Sequence, residues 1–189
     1  MDYKEIETKY PANEIKIADF RSLALSLNPV SSKRAASYDH YFEKVKNDFI
    51  RYRAGERPEL TRKFKMKDSD NFIRVEINVL LDPNMLEDTR LAVCSKFCDS
   101  LDFKPNFSIF KTCEIYFYQK FNVVYYIVYD MELNEQIRFI EIEMDENYPW
   151  PSEAAAWKEL LKIEKSFKKI GITPNKRIKE SLYEMFRKP

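Results

Sequence analysis

The chain has 189 residues, a third of them charged, yet 32 Lys and Arg against 31 Asp and Glu leave a formal net charge of only +1. That balance excludes a global basic field for duplex DNA or a membrane surface, while leaving room for a local basic cluster that grips a small anion. The length suits one domain, 1–189, with a real core; no apolar run reaches membrane-spanning length, and Met1-Asp2-Tyr3-Lys4-Glu5 does not open a signal peptide. A cytoplasmic protein is expected, and with three cysteines and one histidine a zinc site lacks ligands. The cysteines read as free thiols, Cys94 and Cys98 in the core of a helix.

In chain order, residues 4–10 read as a first strand in which Glu5, Glu7 and Lys9 share one face. A helix over about 19–27 follows, with Phe20, Leu23, Ala24 and Leu27 on one side and Asn28-Pro29 ending it. Short strands are expected at 37–42 and 48–53, the second with Arg51 and Arg53 on one face. The strand at 59–67 puts Thr61, Lys63, Lys65 and Lys67 together. After the polar turn Asp68-Ser69-Asp70-Asn71, the strand at 72–80 aligns Arg74, Glu76 and Asn78. Asp82 as N-cap and Pro83 as first helical residue predict a helix to about Ser100 that buries Leu91, Cys94, Phe97, Cys98 and Leu101.

Strand patterns then resume at 107–121, with Lys111 and Cys113 two apart, and at 122–131, ending near Asp130. A strand at 137–144 carries Glu141 and Glu143, repeating the Glu-x-Glu spacing of the first strand. Tyr148-Pro149-Trp150-Pro151 breaks the pattern. Ser152 caps a helix to about Ile170, where Gly171 closes it. Thr173-Pro174 predicts a last helix with Ile178, Leu182 and Met185 on one stripe.

About eight strands joined by short turns suit a closed antiparallel barrel, flanked by helices in an α+β fold. The apolar strand faces carry Ile6, Ile50, Tyr52, Leu60, Phe64, Ile73, Val75, Ile77, Ile140 and Ile142, which helices can cover. The charged faces then line a wet interior, since dry, unpaired charges are prohibitive. For one strand a solvated, ion-paired surface explains the pattern equally well; the recurrence of Glu-x-Glu at both ends of the chain points to a site. Carboxylates suit a hard divalent cation such as Mg²⁺ or Mn²⁺. Rows of Arg and Lys suit phosphate oxygens. Together they suit a polyphosphate or nucleotide with its metal. The lone His40 reads as a strand residue beside Tyr38 and Tyr41 rather than a base, and Tyr125-Tyr126-Tyr129 as barrel wall.

Five motifs in order resemble the CYTH domain, the triphosphate tunnel metalloenzymes. They are Glu5-x-Glu7-x-Lys9, Arg51-Tyr52-Arg53 preceded by the run at Asp39 to Phe42, Leu60-Thr61-Arg62-Lys63, Arg74-Val75-Glu76, and Phe139-Ile140-Glu141-Ile142-Glu143. The resemblance covers nearly the whole chain and is greatest to stand-alone members from bacteriophages. It implies that Glu5, Glu7, Glu141 and Glu143 hold divalent metal. It implies that Lys9, Arg51, Arg53, Lys63, Lys65, Arg74 and Lys111 grip the triphosphate. Lys9, Glu76 and Asp130 are implied as the catalytic set, the two carboxylates also able to orient Lys and Arg. Two departures stand out: Lys111-Thr112-Cys113 where many members have Lys-x-Arg, and Asn78 where a third acidic residue is common. The implied activity is metal-dependent hydrolysis of a triphosphate (inorganic triphosphate, thiamine triphosphate or a nucleoside triphosphate). The rivals are an adenylyl cyclase and a nucleotide-binding protein without turnover. No partner DNA or membrane is expected, and the chain is read as a monomer or homodimer.

Overall fold

A computed structural model describes residues 3–65, 73–130 and 135–187, with side-chain detail for 6–62, 76–129 and 135–187. Eight strands, β1 (Tyr3–Pro11), β2 (Ser31–Val45), β3 (Asp48–Gly55), β4 (Glu59–Lys65), β5 (Ile73–Leu80), β6 (Lys104–Phe117), β7 (Phe121–Asp130) and β8 (Glu135–Met144), pair in the spatial order β1-β5-β4-β3-β2-β6-β7-β8. Every pairing is antiparallel. β1 pairs with β5 near its start and with β8 over Glu7–Pro11, which closes the barrel. The expected closed barrel of about eight strands is what forms.

Among the described residues four α-helices sit around it: α1 (Ile17–Ser26), α2 (Glu87–Ser100), α3 (Glu153–Phe167) and the short α4 (Leu182–Phe186). α1 and α3 cover the outer face of β1, β6, β7 and β8, where Phe20, Leu160 and Phe167 pack on Tyr10, Tyr125, Ile140 and Ile142. α2 covers β3, with Cys94, Cys98 and Phe103 against Ile50 and Tyr52. Most of the apolar core therefore lies outside the barrel wall, as the alternation of its strands requires. All three cysteines are free thiols, and burial pushes the Cys98 thiol up to about 12.

Several sequence expectations are corrected. β2 begins six residues before the expected 37, because Ser31–Ala36, weak in strand propensity, pairs along its length with Ala36↔Thr112 to Ser31↔Phe117. Asp82 does not cap α2: its carboxylate accepts from the Asn84 backbone at 2.9 Å in a local turn, and the helix starts at Glu87. α2 turns Arg90, Cys94 and Cys98 inward; Phe97 and Leu101 are exposed. The outer face of β5 is likewise less covered than its pattern suggests, since Ile77 is exposed. Phe64, Ile73 and Val75 lie outside the side-chain description. The expected last helix is instead a 3₁₀ turn at Pro174–Lys176, a backbone bridge from Ile178 to Lys9, and α4, which Ser181 caps in a capping box with Glu184. Thus Ile178 and Met185 share no stripe, and Met185 is exposed.

A buried network ties the chain's end to the wall. Glu164 of α3 accepts from the Tyr10 hydroxyl at 2.6 Å and takes Arg177 bidentately at 2.8 and 2.6 Å. Removing that charge strands a largely buried guanidinium. Glu164→Ala is therefore expected to lower stability by about 3 kcal/mol, read from the urea unfolding midpoint. A midpoint within experimental error of the wild type's would show that the network does not anchor the C-terminal segment.

Candidate active site

The barrel interior is divided along its axis, and this differs from the wholly wet interior expected. One end is dry: Tyr41, Phe49, Phe107, Ile109, Tyr126, Val128 and Phe139 point inward and are sealed by Leu182 and Tyr183 of α4. Tyr183 lies stacked on Phe49 with ring centroids 4.0 Å apart, and its hydroxyl donates to Glu43 at 2.5 Å. Above this dry end lies a cavity of about 410 Å³, whose floor is the same cluster: Tyr41, Phe49, Tyr126, Leu182 and Tyr183. The change occurs within strands. Along β6 the inward row passes from Phe107 and Ile109 to Lys111, and along β8 from Phe139 to Glu141 and Glu143.

One wall of the cavity is cationic. Asp39 is fully buried, and Arg53 donates through Nε and Nη2 to its two oxygens at 2.8 and 3.0 Å. Lys111 Nζ stands 3.7 Å from the same carboxylate. Burial alone would raise the Asp39 pKa, but the Arg53 and Lys111 charges overcome it and hold the group well below the usual carboxylate range. Arg51 is shared between Glu59 at 2.9 Å, Thr61 at 3.0 Å and, at 3.7 Å, Glu76. Glu59 also accepts from Arg53 at 3.2 Å, so one carboxylate spaces two guanidiniums. Despite burial, the facing carboxylates keep both arginines charged. Arg51 Nε is buried and has no hydrogen-bond partner among the described residues. Asn78, one of the departures, accepts from Thr61 at 2.7 Å and so fixes a ligand of Arg51.

The facing wall is acidic. The β1–β8 register sets Glu7 opposite Glu143 and Lys9 opposite Glu141. Lys9 Nζ lies 3.3 Å from Glu141, which also accepts from the Tyr126 hydroxyl at 2.8 Å. Burial, then the Glu141 charge, pushes the Tyr126 phenol far up, so it stays a donor. Glu7, Glu141 and Glu143 supply the oxygen-donor chemistry that a hard cation needs. Among the described residues no three acidic, His or Cys side chains converge tightly enough to hold an ion in their present rotamers.

The structure thus brings Glu7, Lys9, Arg51, Arg53, Glu76, Lys111, Glu141 and Glu143 to one cavity. The side chains of Glu5, Lys63, Lys65, Arg74 and Asp130 lie outside the described residues. Their backbones hold register positions in the barrel, Glu5 opposite Arg74 and Lys63 opposite Glu76. Sequence reading missed Asp39 as the anchor of two cations, and missed Glu59 and Tyr126; Asp39, two residues before Tyr41 on an alternating strand, was the one with a signal. His40 is outside the cavity: its ring pairs with Ser108 Oγ at 2.8 Å and stacks on Tyr52.

This chain belongs to the CYTH domain family, whose profile matches residues 3–177. Among solved structures it is similar to a protein from Pyrococcus horikoshii OT3, at 19% identity over 97% of this chain and 99% of that one, with a TM-score of 0.70. It is also similar to a Vibrio parahaemolyticus protein described provisionally as an adenylate cyclase, at 11% identity over 98% of each chain and a TM-score of 0.68. The Mimivirus capping enzyme triphosphatase matches at 12% identity over 86% of this chain and 89% of that one, with a TM-score of 0.53. At these identities the likeness is one of fold. No curated protein matches by sequence.

Because the folded Asp39 pKa is depressed, its ion pairs stabilise the fold at pH values above the unfolded pKa of about 3.9, and that stability is lost as pH falls below it. The loss should approach ~1.4 kcal/mol per pH unit. Asp39→Asn should be much less stable than wild type at neutral pH, with the gap narrowing between about pH 4 and pH 3. Urea midpoints across that range measure it; a gap independent of pH would mean that Asp39 acts by shape and not by charge.

Proposed function

We propose that this chain is a divalent-metal-dependent triphosphate hydrolase. The observation that carries the reading is the pairing, in one cavity, of buried guanidiniums held in fixed positions with a facing set of Glu7, Glu141 and Glu143. The described lining has Lys9, Lys33, Arg51, Arg53, Arg57 and Lys111 against seven glutamates. A pure anion receptor gains nothing from so many carboxylates, whereas a polyphosphate that arrives with its metal needs both. The CYTH membership and the likeness of fold to a capping enzyme triphosphatase support the same class.

The chain's own residues would work mainly by placement. Arg51 and Arg53, spaced by Glu59 and pinned by Asp39 and Thr61, present guanidiniums to phosphate oxygens without reorganising when charge develops. Arg51 Nε has a donor to spend on such an oxygen. Lys111, beside Asp39, adds a point charge. Lys9, held against Glu141, can follow charge on the phosphate nearest the acidic wall. Glu76, near Arg51, orients it; Lys63, Lys65 and Arg74 extend the grip and Asp130 completes the set, while Glu5 joins the metal-holding glutamates. A Mg²⁺ or Mn²⁺ ion at the glutamates, when bound, supplies charge neutralisation and an acidified water.

Phosphorus NMR of the protein with Mg²⁺ or Mn²⁺ and inorganic triphosphate, thiamine triphosphate, ATP and a 5′-triphosphate RNA tests the reading. Orthophosphate is the expected product. Pyrophosphate with a cyclic monophosphate would make the chain a cyclase, and shifted lines without turnover a binding protein. Glu7→Gln should keep the fold and reduce metal-dependent turnover by at least about a hundredfold, the order of removing one preorganised electrostatic group; an unchanged rate removes Glu7 from the metal site.

A further inference from the structure

The cavity is not charged all the way round. Beyond Lys111 the inward row of β6 runs Cys113, Ile115, Phe117, and the register sets Ile115 opposite Val124 of β7 and Cys113 opposite Ala35 of β2. These five side chains line the cavity, and none is fully buried. At the dry end the inward apolar groups are sealed by the chain itself, Tyr183 lying on Phe49. Toward the mouth Ile115 and Phe117 stay half-buried and line the cavity. From Cys113 to Phe117 this apolar wall runs for about 13 Å at the rise of an extended strand. It starts two residues from a phosphate-facing cation and leads outward.

We propose that this wall is a subsite for the organic group of a triphosphate ester, and that the group it suits is a nucleoside. The inference rests on the triphosphate reading of the cavity and names which triphosphates it takes. The phosphates lie on Arg51, Arg53 and Lys111. With the far end closed by α4, the organic group can only extend toward the mouth, along β6. A flat base against Phe117, Ile115 and Val124 removes apolar surface from water. Asn122, opposite Phe117 in the register and also lining the cavity, offers an amide donor and acceptor to a base edge. Inorganic triphosphate would occupy the cationic wall and leave this surface wet.

Calorimetric titration of the full chain with ATP and with methyl triphosphate, in Mg²⁺, compares two ligands of like charge that differ in the nucleoside. Wild type should bind ATP about tenfold or more tightly than methyl triphosphate, the order of one base stacked on an aromatic ring. Phe117→Ser should lose about tenfold in ATP affinity with methyl triphosphate unchanged. Ile115→Ser is the second variant should the first unfold, with the same direction expected. Equal affinity of wild type for both ligands, or equal losses for both in the variants, overturns the subsite. Turnover of methyl triphosphate with those equal affinities removes the subsite and leaves the hydrolase standing. Binding of neither ligand removes both.

Discussion

A carboxylate with no exposure to water, Asp39, holds Arg53 by two hydrogen bonds and stands within ion-pair distance of Lys111. The rest of the interior depends on this pair. Neither cation could be brought this far from water alone, because desolvation of an unpaired charge costs several kcal/mol. Once Asp39 is fixed, Glu59 can divide its oxygen between Arg53 and Arg51, and Arg51 can reach Thr61 and Glu76. Each member limits the rotamers of the next. The result is a set of cations whose positions are settled before a ligand arrives, which is the condition for electrostatic stabilisation without reorganisation.

The same constraint explains the shape of the fold. A barrel whose inner face is charged cannot use its interior as the main core, so the helices carry that core on the outside, α1 and α3 over one side and α2 over β3. The interior is not sacrificed entirely. Where the inward rows turn apolar, at Phe107, Ile109, Val128 and Phe139, α4 closes the end and a second core forms inside the wall. Water is thereby confined to one end, and the effective dielectric around Asp39 and Arg51 falls, strengthening the pairs that the charged end needs.

The period of two made most of this legible. Glu7, Lys9, Arg51, Arg53, Glu141 and Glu143 announce themselves because alternation puts like-purposed residues on one face, and a closed barrel then turns those faces toward each other. Asp39 and Glu59 were harder to see, since their importance lies in what is opposite them: Asp39 pairs with Arg53 and Glu59 also pairs with Arg53, a register that no local pattern contains. The missed first half of β2 has the same cause. Ser31–Ala36 is a strand because β6 lies beside it, not because its residues prefer one. Asp82-Pro83 failed for the opposite reason: a good local cap signal was spent on a turn, and α2 began where Arg90 could reach back to the Asp82 and Pro83 carbonyls at 3.0 and 2.8 Å.

Lys9 joins the two ends of the molecule. Its backbone carbonyl accepts from Ile178 at 2.8 Å, its ammonium reaches the Glu180 carbonyl at 3.4 Å, and that same ammonium pairs with Glu141. Residues 178–181 lead directly into the helix that closes the dry end. The segment is in turn held by Arg177 on Glu164, and Glu164 is bonded to Tyr10, the neighbour of Lys9 on β1. The C-terminal run is therefore part of the site's support. If it loosens, Lys9 loses a carbonyl partner and Tyr183 leaves Phe49, so water enters from the far end and the low dielectric around Arg51 is lost. The geometry of the phosphate-facing cations and the closure of the barrel's floor are one property of the fold, and a change in either should be felt in the other.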